Sequence, residues 1–314
     1  MTINPFYSAQ WAPLAQYINP NIEELVINRP GEIVLKPRTG AWQTAQDGYF
    51  TLDRLNRLLR VIANVNAKPF GTEYPLLEAG LPGGERLQAV TGAAARYSPA
   101  DASGIAIAIR NHAKSNTLDV SFAVAPESII VQEAKLRTAF ASDVWKDDLS
   151  AVVKAGLPVV IVGNTGSGKS TLMAQLIAQI PHNLRLVLIG DVQEIAPPHP
   201  NRTLLTAPRG GQMTYTHDDL LEACLRLRPD VILVMELGLA NAFQIYRLMS
   251  SGHANFITTM HSDSPETAED DFAATVSHAA RQPEEMVRKK FTEFFARLIV
   301  LKRTADGQIG RAHV

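Results

Sequence analysis

The chain of 314 residues contains a single cysteine, Cys224. One thiol excludes an intramolecular disulfide framework and any zinc module that needs several thiolates, and such cysteine usage is typical of a reducing compartment. An excess of charge is also missing, since 30 Lys and Arg nearly cancel 31 Asp and Glu. The composition therefore argues against a strongly polyanion-binding protein. With 46% hydrophobic residues, it also argues against a disordered one.

The first 22 residues contain no charged residue and three prolines. Because no basic start precedes an apolar run, we predict neither a signal peptide nor a transmembrane helix here, and we expect a soluble protein. Trp11, Leu14, Ala15 and Ile18 follow helical spacing. Packing in a core or between subunits is the favoured interpretation of this stripe, and contact with a membrane surface is the alternative.

The length is sufficient for two domains. Residues 23–35 contain two β-prone runs around a turn at residues 28–31, and Thr51 is a candidate N-cap for an amphipathic helix. A second turn at residues 82–84 and the alternating run GIAIAIR complete a pattern typical of a small α+β domain. We predict this domain over residues 1–132, an interdomain linker over 133–157 and a second domain over 158–314.

After Pro158 the pattern changes to short apolar runs that alternate with amphipathic helices. The apolar runs are VVIV, LRLVLI, VILVM and ANFITT, and the predicted helices between and after them cover residues 169–180, 218–227 and 241–250. This alternation predicts a mainly parallel sheet covered by helices, which is an α/β fold.

A phosphate-binding motif lies directly after the run VVIV and directly before a predicted helix. The sequence GNTGSGKS fits GxxxxGK[ST], the pattern of loops whose backbone N–H groups surround phosphate oxygens. We expect the Lys169 side chain to reach the β and γ phosphates of a nucleotide and the Ser170 hydroxyl to bind Mg²⁺. The nucleotide-binding residues predicted here are Gly163, Asn164, Thr165, Gly166, Ser167, Gly168, Lys169, Ser170 and Thr171.

Candidate catalytic residues follow three of the other apolar runs. Asp191 ends LRLVLIGD with Glu194 one turn beyond it, Glu236 ends DVILVME, and His261 ends FITTMH. The carboxyl ends of parallel strands share one edge of a sheet, so we expect these groups to converge on the phosphate loop. A carboxylate there can hold Mg²⁺ through water or polarise the attacking water, and the histidine can donate to the γ phosphate. An ordinary strand-end position remains an equal alternative for Asp191 and Glu194.

Four motifs together resemble the secretion traffic ATPases, the family of type II and type IV secretion motors and pilus ATPases. They are the phosphate loop, the acidic segment around Asp191 and Glu194, the run LRLRPDVILVMELG and the histidine segment GHANFITTMHSDSP. The segments VINRPG, LPGGERLQ and IAIR are similar to the N-terminal domain of the VirB-eleven-type ATPases of type IV secretion. The resemblance covers nearly the whole chain.

The resemblance implies a RecA-like C-terminal domain, a smaller N-terminal domain, ATP held between them, and a hexameric ring. It also implies that Arg86 and Arg110 are N-domain arginines that clamp the phosphates; a role as solvated surface residues is the alternative. Two positions depart from the family pattern. Gly190 stands where relatives usually have a glutamate, and Gly238 stands where they usually have an arginine. These departures bear on catalytic rate and on communication between subunits.

The resemblance predicts an ATPase that uses ATP and Mg²⁺ to power substrate transfer or assembly of a type IV secretion machine. It implies partners among the inner-membrane components and a location at the cytoplasmic face of the bacterial inner membrane, with peripheral membrane contact as an option. A pilus-type motor and a slow nucleotide-sensing scaffold are the alternatives. The basic run at residues 288–290 lies among glutamates, so a solvated helix face is favoured and no sequence-specific nucleic acid is expected.

Overall fold

The computed structural model describes residues 5–111, 145–191, 194–207, 214–239, 241–250, 255–295, 297–303 and 309–313. The elements before residue 112 are α1 (Pro5–Ala15), β1 (Ile22–Ile27), β2 (Glu32–Pro37), β3 (Gln43–Gln46), α2 (Leu52–Val65), β4 (Leu76–Gly80), β5 (Arg86–Gly92), β6 (Ala95–Arg96) and β7 (Gly104–Arg110). Those after residue 144 are α3 (Trp145–Lys154), β8 (Val159–Gly163), α4 (Lys169–Ile177), β9 (Leu186–Gly190), β10 (Arg202–Thr206), α5 (His217–Arg226), β11 (Val231–Leu237), α6 (Ala242–Ser250), β12 (Phe256–Met260), α7 (Pro265–Ala280), α8 (Glu284–Phe294), β13 (Arg297–Arg303) and β14 (Ile309–His313).

The described residues form two compact units. The first unit contains the described residues of Met1–Ser121, Asn183–Gln193 and His199–Pro229. The second contains those of Phe122–His182, Glu194–Pro198 and Asp230–Val314. This grouping follows contacts in space and not order along the chain, so the domain boundaries predicted from the sequence stay a prediction. Much of the predicted linker lies outside the described residues.

The first unit is built on an antiparallel sheet with the strand order β3-β2-β1-β7-β5-β4. The hairpin predicted at residues 28–31 joins β1 and β2, and the turn predicted at residues 82–84 joins β4 and β5. Gly31 and Gly84 have φ angles of 78° and 93°, which L-amino acids with a side chain rarely adopt. The chain also forms a second group of strands in this unit, in which β10 pairs with β9 in parallel and with β6 in antiparallel fashion.

One face of the six-stranded sheet is apolar and packs against α1 and α2. Ile105, Ile107 and Ile109 alternate onto this face, as the period of two in the sequence predicts. Trp11 and Leu14 of α1 are buried in the same cluster, so core packing is the correct interpretation for these two residues. Thr51 accepts a hydrogen bond from the Arg54 N–H group and caps α2, as expected.

The opposite face of this sheet is also largely buried, and it contains polar side chains beside apolar ones such as Val26 and Ala106. Asn28 at the end of β1 bonds to Asn201 and Thr203, and its side-chain oxygen accepts a hydrogen bond from Arg185. Arg185 is fully buried and donates further to the Leu227 carbonyl and to Asn201. A charge without water needs such partners, because an unsatisfied buried charge costs several kcal/mol, about 3–5 when a partner is removed. This network joins the N-terminal sheet to later segments of the same unit.

The second unit contains a sheet with the order β14-β13-β8-β12-β11. The pairs β13–β8, β8–β12 and β12–β11 are parallel, and every residue of β8 and β12 is buried, as the continuous apolar runs predict. The helix predicted over residues 169–180 ends at Ile177. Ser264 caps α7 by accepting from the Thr267 N–H group, with Pro265 in the first turn. β13 and β14 pair in antiparallel fashion, and residues 306–307, where an Asp-Gly pair predicts the turn of a hairpin, lie outside the described residues.

The surface features that the sequence left open have ordinary partners. Arg288 pairs with Asp270, Lys289 pairs with Glu293, and the Lys290 ammonium lies over the Tyr246 ring. This run is therefore the solvated helix face favoured by the sequence. In the part of the chain that the structure describes, no helix has both the length and the apolar character needed to cross a membrane.

Candidate nucleotide site

The phosphate loop joins β8 to α4 and has the backbone that its glycines permit. Gly166 and Gly168 have φ angles of 74° and 93°. A Cβ atom on Gly163 would lie 2.5 Å from the Leu301 carbonyl oxygen and 2.5 Å from Ser167 Oγ, which is closer than such atoms can approach. Glycine is therefore required at 163 by packing and at 166 and 168 by backbone conformation.

The start of α4 is suited to an anion. Gly168 is its N-cap and provides no side-chain hydrogen bond, and no acidic residue lies in the first turn. The N–H groups of that turn and the helix dipole therefore favour a negative group. Ser167 is buried, and its hydroxyl has no hydrogen-bond partner within the described ranges. A buried hydroxyl without a partner is costly, so this donor also fits a phosphate oxygen.

Lys169 is the cation of the site and is 7% exposed. Its ammonium group donates to the Gly163 carbonyl at 2.6 Å and to the Asn164 carbonyl at 3.0 Å. Burial lowers the pKa of Lys169, and the negative charge of Glu236 acts in the opposite direction. The lysine is therefore held inside its own loop by two carbonyl oxygens, a weaker environment for a cation than a charged phosphate.

His261 lies between Lys169 and Glu236. Its Nδ1 atom is 3.4 Å from the Lys169 ammonium nitrogen, and its Nε2 atom is 3.8 Å from Oε1 of Glu236. A neutral imidazole with its proton on Nε2 suits both neighbours, because Nδ1 then accepts from the lysine and Nε2 faces the carboxylate. The structure thus brings together three of the residues predicted to form the site. The side chains of His261 and Glu236 are 46% and 60% exposed, so both are accessible from solvent.

A β-bulge aims Glu236 out of the sheet. In the pairing of β11 with β12, the register shifts between Val234 and Leu237, so that Met235 and Glu236 together stand opposite Thr259. The Thr259 hydroxyl donates to the Met235 carbonyl at 2.6 Å and holds the bulge. Glu236 is exposed, whereas Leu237 returns to the core.

Asn241, the first residue of the helix predicted over 241–250, supports the same segment. Its side-chain amide donates to the Glu236 carbonyl at 2.8 Å, and its side-chain oxygen accepts from the Gly238 N–H group at 3.0 Å. Asn241 is buried, so it fixes the loop that follows the glutamate. The sequence alone shows only an asparagine five residues after a strand-end glutamate, and this spacing does not predict these contacts.

The acidic pair after β9 does not fall into one unit. Asp191 is exposed directly after β9 in the first unit, and Glu194 is exposed in the second. Residues 192 and 193 between them are not described. Their convergence with the phosphate loop stays a prediction.

Magnesium would depend on few protein ligands. Ser170 lies in the first turn of α4, half-buried, and Thr171 follows it in an exposed position. Among the described residues, no group of three or more His, Cys, Asp and Glu side chains could hold a metal ion. A hydroxyl such as that of Ser170 suits Mg²⁺, which commonly takes one or two protein oxygens, phosphate oxygens and water.

Arg86 and Arg110 lie side by side in the first unit. They are cross-strand partners on β5 and β7, and both are exposed. The Arg86 side chain has no hydrogen bond or ion pair with any residue in the described part of the chain, and the Arg110 Nε atom is 3.7 Å from Oε1 of Glu24. Their predicted contact with nucleotide phosphates stays a prediction.

Comparison with known proteins identifies the family. Residues 8–270 match the family described as Type II/IV secretion system protein. The type IV secretion system protein PtlH of Bordetella pertussis is 34% identical over 262 residues, which cover 79% of this chain and 75% of that protein. The type IV secretion system protein VirB11 of Brucella suis is 30% identical over 295 residues, which cover 88% of this chain and 80% of that protein.

A solved structure agrees with these relatives. The crystal structure of the VirB11 ATPase from the Brucella suis type IV secretion system, in complex with sulphate, superimposes with a TM-score of 0.80 at 26% identity. The match covers 98% of this chain and 93% of that one. The predicted fold class is confirmed: a RecA-like P-loop domain with a smaller N-terminal α+β domain. The chain belongs to the type II/IV secretion system protein family, the secretion traffic ATPases, and is similar to its VirB11-type members.

Proposed function

We propose that the chain binds MgATP at the loop between β8 and α4 and hydrolyses it, as a hexameric ring, to power substrate transfer or assembly of a type IV secretion system. The observation that carries the proposal is the alignment of Lys169, His261 and Glu236 at this loop. Family membership supports a secretion ATPase in general.

Each residue has a role that follows from its chemistry. Lys169 exchanges its two carbonyl acceptors for the β and γ phosphates, and the N–H groups of the loop bind the remaining oxygens. The Ser170 hydroxyl holds Mg²⁺, which neutralises phosphate charge when bound. Glu236 orients and polarises the attacking water, and His261 donates to the γ phosphate. Asp191 and Glu194 add carboxylates near the metal, and Arg86 and Arg110 neutralise charge on the phosphates.

The proposed cellular location and partners follow from the relatives. The named similar proteins belong to type IV secretion systems. We therefore propose a location at the cytoplasmic face of the bacterial inner membrane, with inner-membrane components of such a system as partners.

One observation favours a second candidate, a nucleotide-sensing scaffold with slow turnover. Gly238 lies two residues after Glu236, where the family pattern usually has an arginine. A Cβ atom at this position would meet nothing within 4 Å, so the backbone does not require glycine here. The glycine therefore removes the positive charge of an arginine side chain, which would reduce the rate of hydrolysis and leave ATP binding intact.

Substitution of the loop lysine tests the proposal. We expect Lys169→Ala to reduce phosphate release from ATP by about 10²-fold or more and to weaken ATP binding, because the charge that meets the β and γ phosphates is lost. Steady-state phosphate release and ATP titration measure the two effects. Lys289→Ala is the matched control, since this lysine is exposed and pairs with Glu293 on the surface of α8. Wild-type turnover by Lys169→Ala would remove the assignment, and slow wild-type turnover with tight binding would favour the scaffold.

The ring is tested separately. We expect light scattering of the purified chain with ATP and Mg²⁺ to give six times the 34.3 kDa mass of one subunit. A monomer or dimer at all protein concentrations would contradict the hexamer and leave the nucleotide chemistry untouched.

A further inference from the structure

The polar face of the first unit's sheet contains an arginine-rich cavity. Its volume is about 150 Å³, enough for several water molecules or one tetrahedral oxyanion. All of its lining residues belong to the first unit: Glu24, Glu78, Arg86, Leu87, Gln88, Arg110, Leu225, Arg226 and Arg228. Four guanidinium groups against two carboxylates give the cavity a positive charge, which favours an anion.

Glu24 is the buried carboxylate of this cavity. Its side chain is 2% exposed, and its Oε1 atom lies 3.7 Å from Nε of Arg110 and 3.7 Å from Nε of Arg228. Glu24 and Arg110 are cross-strand partners on β1 and β7, and Arg110 and Arg86 are cross-strand partners on β7 and β5. The pleat therefore puts the three side chains on one face in one row.

Glu78, the second acidic residue of the cavity, does not pair with Arg86 or Arg110. Glu78 pairs with Arg226 at 3.3 Å, and Arg226 also pairs with Glu222 at 3.2 Å on its own helix. Arg86 has no ion-pair partner in the part of the chain that the structure describes. Arg110 has Glu24, at a distance that permits an ion pair but is too long for a hydrogen bond. Two guanidinium groups are thus suited to accept a stronger anion.

We propose that Glu24 is the built-in counter-anion of this cavity, and that a phosphate-type anion bound by Arg86 and Arg110 must displace Glu24 from Arg110 or wait for Glu24 to take up a proton. The physical reason is that two anions near the same arginines repel each other. Glu24 is a positioning residue, because it acts on the anion through Arg110. The proposal rests on the proposed function only in taking nucleotide phosphate as the natural anion.

Protonation of Glu24 provides a pH dependence. Burial raises the pKa of Glu24 to about 7, while Arg110, Arg228 and Arg185 act to lower it and Glu23 acts to raise it. The charged or titratable groups that face it from the surrounding elements are Glu23, Lys36, Glu78, Arg86, Arg110, Arg185, Arg226 and Arg228. Lysine and arginine stay charged near neutral pH, whereas the raised pKa of Glu24 brings its change of charge into that range.

Sulfate is the probe for the test, because it remains doubly charged from pH 6 to pH 8 while the γ phosphate of ATP titrates in that range. Titration calorimetry in the Lys169→Ala chain, at constant ionic strength, removes the lysine of the other anion site. We expect sulfate to bind about tenfold more tightly at pH 6 than at pH 8, the limit for uptake of one proton with this pKa. Arg86→Ala should weaken binding at every pH.

Two substitutions separate the counter-anion from a structural role. Glu24→Gln should bind sulfate at pH 8 as tightly as the parent does at pH 6, with no remaining pH dependence. Glu293→Gln, an exposed glutamate on α8 in the second unit, should keep the parent's slope. Sulfate affinity that does not change with pH in the parent overturns the proposal, and this result needs no substitution at Glu24. An unchanged pH slope in folded Glu24→Gln overturns it as well.

ATP hydrolysis by the chain with Lys169 intact distinguishes failure of the role proposed for Glu24 from failure of the proposed function. A flat sulfate profile with normal hydrolysis overturns the role of Glu24 and leaves the proposed function standing. The expected sulfate profile without any hydrolysis supports the cavity and contradicts the proposed function.

Discussion

At the scale of residues, the contacts of Lys169 hold its side chain within its own loop. Its ammonium group has two carbonyl acceptors from its own loop and an imidazole nitrogen at 3.4 Å. Charge-assisted contacts to phosphate are stronger than contacts to neutral carbonyls, so the lysine gains on exchanging them. The same exchange releases His261 Nδ1, because both ring nitrogens otherwise face protein groups. In the proposed function, nucleotide binding would thereby be linked to the orientation of Glu236 through one imidazole ring.

Glu236→Gln tests the role of the carboxylate. We expect hydrolysis to fall by about 10²-fold or more with ATP affinity retained, because the amide keeps the shape of the side chain but cannot attract a proton from water. Single-turnover hydrolysis and ATP titration measure the two quantities. Glu293→Gln, an exposed glutamate on α8, is the control. Loss of ATP binding in Glu236→Gln would show instead that the glutamate anchors the metal or the fold.

How far the sequence predicts the site differs from residue to residue. The phosphate loop is predictable because its glycines are fixed by conformation and by the close approach of Leu301, which leave a recognisable spacing. The β-bulge at Met235 and the amide contacts of Asn241 are not, since they depend on neighbours distant in sequence. Glu24 could not be distinguished from Glu23 either, because only the sheet decides which side of β1 is buried.

At the scale of elements, the first unit's sheet has two faces with different tasks. The face against α1 and α2 follows the alternation of apolar residues, so the strands and the cap at Thr51 could be predicted. The other face contains Arg185 with its neutral partners and the arginine row that begins at Glu24. Its partners come from β10, α5 and the segment after α5, far along the chain, and local patterns do not contain that information.

Substitution of the two arginines tests the clamp. We expect Arg86→Ala and Arg110→Ala each to lower ATP turnover with a melting temperature near that of the wild type. Both side chains are exposed, and Arg110 is too far from Glu24 for a hydrogen bond, so each substitution should change stability by about 0.5 kcal/mol or less. The double variant should lose less than the sum of the single losses in activation free energy if both side chains meet the same phosphate group.

Steady-state kinetics and thermal unfolding of the four proteins complete the cycle. Arg288→Ala is the control, because Arg288 forms its ion pair with Asp270 on the surface. Unchanged kinetics in both single variants would take the arginines out of the site, and a loss in only one would restrict the clamp to that residue.

At the scale of the whole molecule, buried charges make stability depend on pH. Arg185 is fully buried, and Glu24 next to Arg110 and Arg228 is almost so. Burial raises the pKa of such a carboxyl, and nearby arginines lower it. For Glu24 the effect of burial is the larger, and the pKa rises from 4.5 to about 7. The folded chain therefore binds a proton more tightly than the unfolded chain does at this residue.

The sign of the pH effect follows from this difference. Between pH 4.5 and pH 7 the folded state holds more protons at Glu24 than the unfolded state, so this residue lowers the free energy of unfolding as the pH rises through that window. Each pH unit contributes up to about 1.4 kcal/mol, or about 3 kcal/mol over the window. Glu24→Gln cannot titrate, so we expect its free energy of unfolding to increase relative to the wild type between pH 5 and pH 7.5.

Urea unfolding at a series of pH values measures this difference, with Glu293→Gln as the control that keeps the wild-type dependence. Arg185 remains charged throughout, so its network changes stability by the same amount at every pH and cancels in the comparison. A constant difference between Glu24→Gln and the wild type would mean that Glu24 is ionised across the range. The ion pairs with Arg110 and Arg228 would then outweigh burial, and the arginine cavity would be permanently neutralised by its own carboxylate.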